Sequence, residues 1–223
     1  MAKGGKTAAS IKKGSSSGNL DYNPKQNVIE IIPNLTPVAT LPALPTIPFK
    51  CDPAIYKGPS DYSNWLIPNR ICVGGYPRSK EVDNIVSVGI TTFVNLVEED
   101  EQLRCGPFYF AQSKKKTTLP KLNYITFPIR DKNIEDDEKV KQLVELLVTL
   151  VNRGEVLYMH CVGGHGRTGT IAAILLGRLY SLSAHDSLGW VQSFHDVRPV
   201  TNGRNSPEST LQRNQVFRLL SNK

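Results

Sequence analysis

"EVLYMHCVGGHGRTGT", residues 155–170, decides how this chain reads. "EVLYMH" is a short apolar run that predicts a strand, and "GRTGTIAAILLGRLY" (166–180) predicts an apolar, largely buried helix. Between them Cys161 and Arg167 stand five residues apart, and three of the five are Gly163, Gly164 and Gly166. A strand, a glycine loop and a helix form an anion site, because the helix N-terminus turns backbone N–H groups and a positive dipole end to the loop. The glycines allow φ values closed to other residues and let backbone approach a ligand.

Three loops share those glycines. The P-loop of nucleotide triphosphatases fails at two fixed positions: Cys161 stands where its first Gly belongs, and Arg167 replaces its Lys. The dinucleotide fingerprint matches at Gly164, Gly166 and Gly169, but it also needs an acid at the tip of the next strand. The region of Asp186 reads as a helix start, and 54 residues after Gly169 are too few to complete such a sheet. The third loop accounts for both the thiol and the guanidinium. The helix dipole and loop amides favour a thiolate at Cys161. Arg167 presents a planar fork to phosphate oxygens. Attack of sulfur on phosphorus would give a cysteinyl-phosphate that water then hydrolyses, with charge met by the amides and Arg167.

"HCVGGHGRTG" resembles the signature of the Cys-based protein tyrosine phosphatase superfamily. "WLIPNRICVGGYP", "GITTFVNLVEEDE", "YITFPIRD" and "SPESTLQRNQ" are similar, in order, to segments of its compact dual-specificity-like members. The likeness runs from about Asn64 to the C-terminus. It implies a three-layer α/β fold: a central, mixed, mostly parallel sheet flanked by helices, with the active-site loop between a strand and a helix. It implies Cys161 as nucleophile and Arg167 as phosphate ligand, with Val162, Gly163, Gly164, His165 and Gly166 lining the cradle. Thr168 would donate its hydroxyl to the departing sulfur, and His160 would order the loop.

A general acid must protonate the leaving oxygen. The resemblance places it about 30 residues before the Cys, which is Asp131 in "FPIRD"; Asp136 and Asp137 are rivals whose more ordinary task is to complement a helix dipole. Gln212 matches a Gln that can position the hydrolytic water, with a solvent-facing place on the helix as its alternative and Gln215 as its rival. Partial charge on His165 would favour a polyanionic substrate. Phosphoinositide phosphatases of the superfamily carry Lys there and beside the Cys, where this chain has His165 and Val162, so a phosphoprotein substrate is expected. Inositol phosphate, phosphoinositide or RNA 5′-phosphate substrates are the alternative. A phosphatase-fold binding protein is the reading of another class.

The remainder of the 223 residues predicts alternating strands and helices, hence α/β. Strands are expected at 70–75, 91–96 and 122–129. Helices are expected at 79–89, 136–154, 183–198 and 206–222, the last with Ser206 as N-cap and Pro207 in its first position. "EEDE" reads as a polar loop and "SKKKTT" as a Lys-rich turn. Residues 1–20 form a basic, Gly/Ser/Lys-rich tail expected to be disordered; 21–60 form a Pro-rich extended arm; 61–223 form the catalytic domain. The arm is too apolar for an idle linker and is expected to lie in a groove of its own domain or of a protein partner.

Composition is that of a soluble protein, with 39% hydrophobic and 21% charged residues and no apolar run long enough to span a membrane. Net charge is +7, of which residues 1–57 contribute +4, from seven lysines against Asp21, Glu30 and Asp52. The folded part is only mildly basic, so no nucleic-acid partner is expected. Four cysteines without CxxC spacing suggest neither zinc nor disulfides; no metal or other cofactor is expected. A reducing cytoplasmic compartment fits, with a nuclear one the alternative and a mitochondrial one a minor reading of the lysine-rich start. The domain is expected to act as a monomer.

Overall fold

A computed structural model describes residues 20–21, 35, 37–38, 40–106, 108–116 and 122–221. Almost all of the basic tail lies outside them. Among the described residues six strands and eight helices follow in chain order: β1 Leu20–Asp21, α1 Pro53–Tyr56, β2 Ser63–Ile67, β3 Ile71–Gly74, α2 Val82–Ser87, β4 Thr92–Asn95, α3 Glu99–Arg104, α4 Tyr109–Lys116, β5 Asn123–Thr126, α5 Asp137–Asn152, β6 Leu157–His160, α6 Gly166–Tyr180, α7 Ala184–His195 and α8 Thr210–Leu220.

The strand order is β1-β5-β4-β6-β3-β2. Neighbours run parallel except β2 against β3. Five strands belong to the domain, and the two-residue β1 extends one edge. β6 is central and every residue of it is buried, as expected for a strand covered on both faces. Parallel register sets the C-terminal ends of four strands side by side: Gly74 pairs with His160, His160 with Asn95, and Asn95 with Thr126. The loops that follow those four residues therefore open at one end of the sheet, where open α/β folds bind ligands.

The predicted stripe of α5, Val140, Leu143, Val144, Leu147, Leu150 and Val151, is buried throughout. α6 is buried from Gly166 to Gly177 because α5, α7 and α8 pack around it. Four expectations are corrected. "EEDE" is helical: acids in the first turn of α3, Arg104 in the last, and the Arg104–Asp100 pair at 3.0 Å complement the helix. "SKKK" closes α4, because Tyr109, Phe110 and Ser113 are buried and anchor a helix whose Lys114 and Lys115 face water. α7 stops at His195. α8 starts at Thr210, capped by Ser209 and Gln212, a Ser-x-x-Gln box; Ser206 instead donates its hydroxyl to the His165 carbonyl at 3.0 Å.

The described part of the Pro-rich stretch lies on its own domain. Val38 N–H donates to Asn152 O, Tyr180 Oη to Pro42 O and Ser193 Oγ to Phe49 O, at 2.9, 2.6 and 2.8 Å. Phe49 meets the Trp190 ring edge-on, and Tyr56 stacks on Phe194 with centroids 4.4 Å apart. Among the described residues no helix is long and apolar enough to cross a membrane.

Candidate active site

Cys161 follows β6 directly and is 3% exposed. The loop from Cys161 to α6 is shaped by what its carbonyls do. His160 O accepts from Leu96 N–H and Val162 O from Tyr76 N–H, both at 2.9 Å. Cys161 O faces His160 Nδ1 at 3.2 Å, and Gly164 O accepts from Arg198 Nη1 at 3.0 Å. His165 O takes Gly169 N–H and the Ser206 hydroxyl. In a trans peptide the C=O and the following N–H point in opposite directions. Carbonyls held outward therefore turn the amides of Val162, Gly163, His165 and Gly166 towards the inside of the loop. Gly164 N–H reaches Cys161 Sγ at 3.2 Å. Gly164 has φ +76°, and a Cβ there would strike the Gly74 carbonyl, so only glycine fits.

Arg167, in the first turn of α6, lies 3% exposed. Its Nη1 donates to Glu101 Oε2 and Ile129 O at 2.6 and 2.9 Å; its Nη2 donates to Glu101 Oε1 and Asp131 Oδ1 at 3.1 and 2.9 Å. Burial opposes its charge, but the bond to Glu101 and the electrostatic pull of Cys161, Glu101 and Asp131 outweigh burial and raise its pKa. All four Nη hydrogens are engaged, and Nε–H completes the five donors. Thr168 is fully buried in the same turn, and its hydroxyl has no hydrogen-bond partner among the described residues.

Asp131 stands at the pocket with a half-exposed side chain. Its rivals are engaged elsewhere. Asp136 caps α5 by accepting from Glu138 and Lys139 N–H at 3.0 and 3.1 Å. Asp137 is bound by Arg218 and Gln215. Gln212 is buried, which removes its solvent-facing alternative; its Oε1 accepts from Ser209 N–H at 3.1 Å and its Nε2 donates to Asn133 O at 3.3 Å.

The two loop histidines are neutral and structural in placement. His160 is fully buried; burial, before any other cause, drops its pKa to about 3. Its Nε2 meets the Tyr109 hydroxyl at 2.5 Å. The expected charge on His165 is absent. Its ring is buried with Nδ1 at 2.8 Å from His195 Nε2, and burial, with Arg198 and Arg204 nearby, lowers its pKa to about 4.

Four participants escaped the sequence reading: Glu101, Tyr109, His195 and Arg198. Arg198 is 5% exposed and donates to Asn64 Oδ1, Gly164 O and Val73 O. None of its donors meets a carboxylate among the described residues, and burial lowers its pKa to about 10. It leaves an uncompensated cation beneath the loop.

Cys161, Asp131, Lys132, Arg167, Arg204 and Gln212 line a cavity of about 420 Å³. A larger cavity of about 640 Å³ adjoins it, sharing Glu101, Asp131 and Val162. The smaller one holds the chemistry, because it alone contains Cys161 and Arg167.

The thiol in an amide-lined loop, closed by a buried Arg that also holds a carboxylate, matches what comparison with known proteins finds. The family described as "PTP-SAK: Swiss Army Knife protein, DSP-PTPase phosphatase domain" matches residues 60–215. The chain belongs to this family. Its dual-specificity-type phosphatase domain is 31% identical over 141 residues to protein 067L of Invertebrate iridescent virus 3, whose name assigns it provisionally as a tyrosine phosphatase; the match covers 61% of this chain and 55% of that one. It is 25% identical over 150 residues to the phosphatidylglycerophosphate phosphatase PTPMT2 of Arabidopsis thaliana, covering 65% and 58%. The chain thus spans little more than half the length of these curated relatives. The crystal structure of Tk-PTP in its active form shares the fold, with a TM-score of 0.58 at 20% identity over 73% of this chain and 98% of that one.

Proposed function

We propose that the domain hydrolyses phosphotyrosine and phosphoserine/threonine esters of proteins through a cysteinyl-phosphate on Cys161. The observation that carries the reading is Arg167, whose single guanidinium closes the amide loop around Cys161 and holds Asp131 at 2.9 Å. A phosphate dianion entering the loop takes Arg167 Nε–H and the Nη2–H now donated to Asp131. That frees the Asp131 carboxyl, which takes up a proton from solvent and faces the ester oxygen. Sulfur attacks phosphorus, the P–O bond breaks, and Asp131 gives its proton to the departing oxygen. In the second step water attacks phosphorus, Asp131 takes the water's proton and the S–P bond breaks. The Thr168 hydroxyl, without a hydrogen-bond partner among the described residues, supports the leaving thiolate.

Val162 beside the nucleophile and a neutral His165 add no charge to the cradle. Around the rim, Lys132, Arg167 and Arg204 are matched by Glu101, Asp131 and Glu208. A balanced rim supports a phosphoprotein over a polyphosphorylated inositol. Similarity to a phosphatidylglycerophosphate phosphatase keeps a lipid phosphate monoester as the second reading. We further infer that the domain works without a metal and as a monomer.

The test is turnover of phosphopeptides, phosphoinositides and inositol phosphates by the wild type and Cys161→Ser. Metal-independent, vanadate-sensitive turnover of phosphopeptides by the wild type alone supports the reading. Turnover confined to phosphoinositides supports the second reading. Equal turnover by both proteins excludes the mechanism, and none by either favours the reading of a phosphatase-fold binding protein.

A further inference from the structure

Asp131 begins a loop that reaches α5 with no proline between Asp131 and Asp137 to stiffen it. Lys132 takes a left-handed φ of +60°, and Asn133 N–H closes a turn on Arg130 O at 3.0 Å. One end of the loop is tied to Arg167 through Ile129 O and Asp131. The other end is tied to α8. Gln215 Nε2 donates to Glu135 O at 2.7 Å and to Asp137 Oδ1 at 2.8 Å. Arg218 grips Asp137 with Nε on Oδ2 and Nη2 on Oδ1, both at 2.9 Å. Gln212, Gln215 and Arg218 recur every third residue and so share one face of α8. Gln215 is 1% exposed, so its two bonds are shielded from water; Arg218 is exposed, but its fork is bidentate.

We propose that Gln215 and Arg218 are positioning residues for the acid. By clamping Glu135 and Asp137 they hold the loop closed on the pocket, so that Asp131 is in place before substrate arrives. Neither touches the pocket; both act through the loop. The inference rests on the phosphatase reading above, in which Asp131 is the acid. An acid displaced by an ångström loses much of its effect while the nucleophile and cradle stay intact. In the first step the cost therefore falls on substrates that need protonation of the leaving group; the second step, common to all substrates, is slowed alike.

The test uses full-length wild type, Gln215→Ala/Arg218→Ala, Arg218→Lys and Asp131→Ala. Each is assayed on a phosphoserine peptide and on p-nitrophenyl phosphate, whose phenolate leaves with little need of a proton. The double variant is expected to lose about 10- to 100-fold in kcat/KM, which reports the first step alone, on the peptide and less than about threefold on the aryl ester. Its basic limb of the pH–kcat/KM profile flattens towards that of Asp131→Ala, and Arg218→Lys retains part of the activity. Hydrogen exchange at residues 131–137 speeds up in the double variant. Equal losses on both esters, no loss on either, or unchanged exchange would overturn the proposal. Absence of turnover by the wild type would instead reject the phosphatase reading, and the exchange measurement still decides whether α8 clamps the loop.

Discussion

Arg167 and Glu101 form a two-pronged pair, Nη1 on Oε2 at 2.6 Å and Nη2 on Oε1 at 3.1 Å, between residues 66 positions apart in the chain. The fork leaves the guanidinium one orientation, with Nε–H and the Nη2–H now donated to Asp131 left for a phosphate. Glu101→Gln keeps the side chain's shape but replaces one acceptor oxygen with a donor and removes the charge. It is expected to lower kcat/KM by about 10- to 100-fold, the worth of one charge-assisted hydrogen bond of roughly 1.5–3 kcal/mol, with weaker inhibition by inorganic phosphate. Steady-state kinetics unchanged from wild type would show that Arg167 needs no such brace.

Arg198 donates to three neutral oxygens, one of them the carbonyl of Gly164, whose N–H faces Cys161 Sγ. A cation without a carboxylate favours negative charge in the loop above it. Arg198→Met is expected to fold, to melt at lower temperature because buried acceptors lose their donor, and to bind vanadate at least about tenfold more weakly. Vanadate affinity equal to wild type would assign Arg198 a purely structural task.

Much of this site was legible because its chemistry is contiguous. Cys161, Thr168 and Arg167 lie within eight residues between one strand and one helix, and local periodicity identifies both. Asp131 was legible through its position after a strand. Glu101, Tyr109 and Arg198 were not, because tertiary packing, not local sequence, brings α3, α4 and the segment after α7 to the loop around Cys161. "EEDE" and "SKKK" look like solvated loops until the partners of Glu101 and Tyr109 are known. Two Ser residues precede α8; the Ser-x-x-Gln spacing marks Ser209 as the cap, whereas only tertiary contact explains why Ser206 turns to His165.

Stability should fall on acidification. Burial drops His160 and His195 to about 3 and His165 to about 4, from an ordinary 6.5. The folded chain keeps all three neutral while the unfolded chain protonates them. Their contribution is full above about pH 6.5 and is lost as pH falls towards 4 and then 3. Glu155, which burial pushes up, works in the opposite sense: its contribution is full at low pH and fades as pH rises through its folded value. Melting temperatures between about pH 7.5 and 5 should decline, with about two to three protons taken up per molecule unfolded near pH 5. A flat profile without proton uptake would contradict the burial of these imidazoles.

Removing residues 1–60 should cost stability. Truncation uncovers Trp190 and Phe194, against which Phe49 and Tyr56 pack, and leaves Ser193 Oγ and Tyr180 Oη without their arm carbonyls. A fall in melting temperature of more than about 5 °C is expected for the truncated domain. An unchanged value would assign the arm to a partner and not to its own fold.

The central claim is that phosphorus passes through the sulfur of Cys161. The most direct measurement is rapid acid quench of the enzyme during turnover of a phosphopeptide, followed by mass spectrometry of the peptide containing Cys161. The account predicts a phosphoryl group on Cys161 of the wild type, accumulating further in Thr168→Ala because the thiolate then leaves slowly, and absent from Cys161→Ser. Turnover with an unmodified Cys161 in both the wild type and Thr168→Ala, or with the label on another residue, would contradict it.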